Sequence, residues 1–109
     1  MQKVADTVHV PGCTCTMKQT NLRPAMELTD NNVELLNKAN VLFEKSGLRK
    51  LEIGMRTGGS DAADVTCFGT TCLDSIGVGG ERAHSVQEYG VIASLAESAK
   101  RLATIICGL

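Results

Sequence analysis

Apolar and polar positions follow two different periods along the 109-residue chain. Leu35, Leu36, Ala39, Leu42 and Phe43 fall on one stripe at helical spacing and predict a helix over about 31–46. Asn31 with Glu34 three residues on forms a capping-box pattern, with Asp30 as a competing cap. Lys45 lies in the last turn and Gly47 just past it, an ordinary stop. From Ile92 the positions Ile92, Leu95, Ala96, Ala99, Leu102, Ala103 and Ile106 form the clearest amphipathic pattern, with Gly108 closing it. A shorter helix is expected over about 60–68, started by Ser60 or Asp61 and stopped by Gly69.

The second period is two. Cys13, Cys15 and Met17 alternate with Thr14, Thr16 and Lys18 after the turn signal Pro11-Gly12, so Cys13–Leu22 reads as a half-exposed strand ended by Pro24. Leu51–Met55 and Thr71–Ile76 read as two more strands flanking the 60–68 helix. A strand, a crossover helix and a strand predict a right-handed unit with a parallel pair. Residues 1–10 fit either a helical turn or a short strand. The expected fold class is therefore α/β. A parallel sheet wants both faces covered and more strands than this chain offers. Either the chain self-associates, or it is a segment of a larger domain.

Composition narrows the function classes. Hydrophobic residues are 43% and charged residues 21%, which fits a folded chain. A net charge of −1 gives no field to recruit nucleic acid or an acidic membrane. No apolar run approaches the roughly 20 residues a membrane span needs, and the N-terminus lacks a signal-peptide core, so a cytoplasmic location is expected. Five dispersed cysteines then read as reduced thiols. Packing roles are favoured for them over a metal site, because Cys13-x-Cys15 has no second pair.

Candidate chemistry gathers in Arg56–His84. Gly58 and Gly59 let a ligand approach the backbone, and the free amides after Ser60 and Asp61 suit an anion. No Lys follows the glycines, so this is not a P-loop, and Gly77-Val-Gly-Gly opens no helix as a dinucleotide fingerprint would. Ser85 and Glu88 form a second capping-box pattern directly after His84. Taken alone, a single histidine beside a turn is more often structural than a ligand, since metal sites come as clusters.

Arg23-Pro-Ala-Met-Glu, the Asn32–Ser46 helix, Arg56-Thr-Gly-Gly-Ser-Asp-Ala, Leu73-Asp-Ser-Ile-Gly and Ala83-His-Ser-Val-Gln-Glu-Tyr occur here in a fixed order. That order and spacing resemble the C-terminal part of the two-zinc carboxypeptidase, aminoacylase and desuccinylase family. The resemblance implies the C-terminal portion of a three-layer αβα sandwich, with the last strand of an inserted lid domain at the N-terminus. Residues 1–22 would be the edge of that lid and dimerisation domain, and 23–109 the catalytic portion.

It also implies roles. Arg23 matches the arginine that grips a substrate carboxylate, and Gly58, Gly59 and Ser60 match the loop receiving the same end. His84 matches the family's last zinc ligand. Asp61 is expected to cap its helix, and Glu88 to hold the turn after the ligand. The implied activity is metal-dependent cleavage of an amide next to a free carboxylate, in a small peptide or N-acyl amino acid, with two zinc ions in the intact enzyme. A catalytic zinc needs about three protein ligands, and only His84 is matched. The family's general base is absent too, so no catalytic residue is assigned here. The chain alone is expected to hold no zinc and to be inactive, with a homo-oligomer as its expected state. The rival reading is a non-catalytic anion-binding or homo-oligomeric α/β module.

Overall fold

A computed structural model describes all 109 residues. Four helices and one minimal hairpin make up its regular structure. They are α1 (Gln2–Ala5), α2 (Asp30–Lys45), α3 (Asp61–Cys67), β1 (Gly80–Glu81), β2 (Tyr89–Gly90) and α4 (Ile92–Gly108). The molecule is an elongated slab of 67 × 35 × 18 Å with a radius of gyration of 19.8 Å. A compact chain of this length has a radius near 13 Å. Six residues are buried, and only Ala39, Phe43 and Ala63 among them are apolar.

The helices form where the periodicity places them, but the start of α2 and the end of α4 differ from expectation. Thr29, and not Asn31 or Asp30, caps α2, its Oγ1 accepting from the Asn32 amide at 3.2 Å. Ser60 caps α3 by accepting from the Ala62 amide at 3.1 Å. Along α2 the stripe turns inward as expected, with Ala39 and Phe43 fully enclosed. α2 and α4 pack on each other, bringing Gly108 so close to Leu42 that a Cβ there would sit 2.8 Å from Leu42 Cδ1. Gly108 is the last helical residue and not the stop beyond it.

On α4 the stripe faces the other way. Ser98 is buried and Ile105 half-buried, whereas Ile92, Leu95, Leu102 and Ile106 are 87%, 57%, 50% and 72% exposed. Polar anchors explain the rotation. Ser94 Oγ accepts from the Gly79 amide at 2.8 Å, and Ser98 Oγ donates to the Gly77 carbonyl at 2.8 Å. Arg101 reaches the Arg49 carbonyl and pairs with Glu97. These bonds turn the small polar face of α4 toward the chain and leave its apolar face outward.

The α/β sandwich is not what forms. The sole sheet is the antiparallel hairpin pairing Gly80 with Gly90 and Glu81 with Tyr89. Cys13–Leu22, Leu51–Met55 and Thr71–Ile76 form no ladder, and residues 1–22 hold the one-turn helix α1 and the Pro11-Gly12 turn in place of a lid strand. The physical reason lies in backbone pairing. A period of two says which side chains share a face, but a strand also needs a neighbour for its amides and carbonyls. Here α2 supplies a substitute. Asn40 donates from Nδ2 to the Leu51 carbonyl at 2.9 Å and accepts from the Leu51 amide at 2.8 Å. Eight residues earlier, about 12 Å along the axis, Asn32 Oδ1 accepts from the Cys72 amide at 3.0 Å. Two asparagines thus tether both flanks of α3 to one helix, and the parallel pair is absent.

No helix of the structure is long and apolar enough to cross a membrane. All five cysteines are free thiols, four of them exposed and Cys72 half-buried.

Candidate functional site

The fold brings Arg23 to Asp61, 38 residues further on and just past the glycine loop. Its Nη2 donates to Asp61 Oδ1 at 3.1 Å. The same side chain lies across Gly59, where an added Cβ would stand 3.2 Å from Arg23 Cδ and 3.5 Å from Nη1. A side chain at Gly59 would therefore make the arginine give by a few tenths of an ångström. Gly58 has open space around its Cα. Ser60 is occupied as the α3 cap, so its hydroxyl lone pair already faces the helix.

Asp61 is where the sequence reading missed a partner. The cap is Ser60, and the Asp61 carboxylate instead holds the Arg23 guanidinium. Both are solvent-accessible, at 53% and 90% for their side chains, so the ion pair orients more than it stabilises. One guanidinium presents five donors in a planar fork, and Asp61 takes one of them. The rest of the half-exposed Arg23 side chain lies beside Gly59. No local pattern in the sequence signals a bond spanning 38 residues.

His84 sits in a separate, tightly knit loop. Ser85 Oγ donates to the Arg82 carbonyl at 2.8 Å and accepts from the Gln87 amide at 3.1 Å. Arg82 Nη1 donates to Gln87 Oε1 at 2.7 Å. Glu88 does hold the turn, but one residue off the expected box: its Oε2 accepts from the His84 amide at 3.1 Å. His84 and Arg82 adopt left-handed backbones, with φ of 65° and 60°. Such a conformation costs a non-glycine residue energy and persists only where its surroundings hold it. The imidazole is exposed, and no hydrogen bond joins it to Arg23, Gly58, Gly59 or Ser60.

No protein-family model, curated protein or solved structure matches this chain.

A zinc centre was the implied cofactor site, and the donor set does not fit one. No group of three or more His, Cys, Asp or Glu side chains is placed to hold a metal ion. His84 stands without a second ligand beside it. His9, the other histidine, lies near the N-terminus with its ring nitrogen 3.1 Å from the Val4 carbonyl. The Cys13 and Cys15 thiols line an open hollow of about 330 Å³ with His9 and Asp6, again without ligand geometry. The arrangement thus presents one arginine, paired with Asp61 beside Gly59, and an exposed histidine in a separate loop.

Proposed function

We propose that this chain recognises the free carboxylate of an amide substrate, a small peptide or an N-acyl amino acid, as the carboxylate-binding segment of a metal-dependent hydrolase. The observation that carries this reading is the Arg23 guanidinium laid over Gly59 and held by Asp61. A fork of charged donors beside an uncovered backbone suits a planar anion, which takes two parallel N–H···O bonds from arginine. The resemblance of the Arg56–Ala62 and Ala83–Tyr89 runs to the zinc carboxypeptidases and acylases supplies the reaction class. In that setting the metal chemistry belongs to groups this chain does not bring together, and His84 is given no part in it.

The test is a titration of the ¹⁵N-labelled chain with N-acetylglycine, which carries an amide beside a free carboxylate. Saturable shifts at the Gly58, Gly59 and Ser60 amides and the Arg23 Nε–H are expected. They are lost in Arg23→Met and kept when inorganic zinc is chelated. Shifts that never saturate, or that survive Arg23→Met, would refute the reading.

A further inference from the structure

A chain of 11.5 kDa that folds compactly exposes about 5,800 Å², but this one exposes 8974 Å². Roughly 3,000 Å² of surface thus lies open beyond what a compact monomer leaves. A specific interface takes about 800 Å² from each partner. The uncovered surface includes one regular feature. Ile92, Leu95, Ala99, Leu102, Ile106 and Leu109 follow each other at alternating steps of three and four, and every one is exposed.

We infer that α4 pairs with α4 of a second copy of this chain. Steps of three and four make the a and d positions of a coiled-coil seam, with Ile at two of the a positions and Leu at every d position. Isoleucine at a with leucine at d favours two strands over higher numbers. The flanking positions add to the fit. Ala96 and Ala103 widen the apolar band and let the helices approach, whereas Glu97, Lys100 and Arg101 all lie off the seam. No like charges therefore meet across a two-fold axis, where each residue faces a copy of the same surface. The flank of α4 that carries Ser94, Ser98 and Gly108 is already taken by α2 and by the Gly77 and Gly79 backbone, and the seam beside it is left free to pair. A sheet-covering helix would need a sheet, and the chain's own sheet is two residues wide on each strand. This pairing is independent of the carboxylate reading.

Light scattering on the full chain across a concentration series tests it. The expected mass is twice 11.5 kDa at high concentration. Leu102→Glu places a charge in the seam and weakens association by at least about 100-fold. Val86→Glu, at a fully exposed loop position, leaves the mass unchanged. Leu102 is half exposed in the single chain, so helicity by circular dichroism is retained in the variant. Isotope-filtered NMR on a mixture of labelled and unlabelled wild-type chain gives a second readout, with contacts expected between Leu102 methyls of one copy and the seam of the other. A mass of 11.5 kDa at every concentration overturns the inference. So does a doubled mass indifferent to Leu102→Glu, or a dimer without seam-to-seam contacts.

Discussion

Replacing Asn40 by alanine removes both bonds that hold Leu51 to α2, and the loss is expected to be local. The side chain bonds the amide and the carbonyl of one residue at 2.8 and 2.9 Å, in a half-buried setting. A neutral hydrogen bond contributes about 0.5–1.5 kcal/mol net, so the pair contributes about 1–3 kcal/mol. Since about 1.4 kcal/mol is tenfold in an equilibrium, the Leu51 amide should exchange with solvent about 5- to 150-fold faster in the variant. Amides in the middle of α4 should keep their protection, because no α4 residue bonds Asn40. Asn40→Asp is the sharper variant. It keeps an acceptor for the Leu51 amide but turns a carboxylate toward the Leu51 carbonyl, so it should cost at least as much as alanine above the carboxylate's pKa. Hydrogen exchange read by NMR on the three proteins decides the matter. If Leu51 exchanges equally in wild type and Asn40→Ala, the asparagine is not what organises the 51–55 segment.

Two further outcomes follow from local geometry. Gly80→Ala drives a Cβ into the Tyr89 carbonyl oxygen and should abolish the β1–β2 pairing, seen as loss of cross-strand NMR contacts, whereas Gly58→Ala meets open space and should leave the spectrum nearly unchanged. Lys38, bonded to Glu34 and charged beside it, holds the Glu34 carboxyl below its ordinary value. A lowered folded-state value means the pair's contribution is present above the unfolded value and is lost as pH falls through the folded one. α2 helicity by circular dichroism should therefore fall slightly on acidification, and Glu34→Gln should remove that part of the dependence.

Helices were legible in the sequence because their backbone bonds are internal. The stripe from Leu35 to Phe43 located α2 within a residue, and Ser60 before Asp61-Ala-Ala located α3. Strands were not, because their bonds lie with a neighbour that periodicity does not name. Cys13, Cys15 and Met17 alternate with Thr14, Thr16 and Lys18 and still pair with no strand. The face of α4 escaped for a related reason: a stripe states that apolar residues share a side, not that a partner lies on that side within the chain. At the site, Arg23 and the Gly58–Ser60 loop were visible as residue types, and the structure brings them together. Their link through Asp61 was hidden by distance along the chain. The asparagines left only a faint trace. Asn is a poor helix former, but α2 holds four, and only burial separates Asn32 and Asn40, which bond other segments, from the exposed Asn31 and Asn37.

An 18 Å slab with three enclosed apolar residues has a calorimetric consequence. The heat-capacity step on melting comes from hydrocarbon newly wetted, and a lone chain keeps most of that hydrocarbon wet already. Its melting should be broad and shallow, and denaturant should unfold it with a gentle slope for its length.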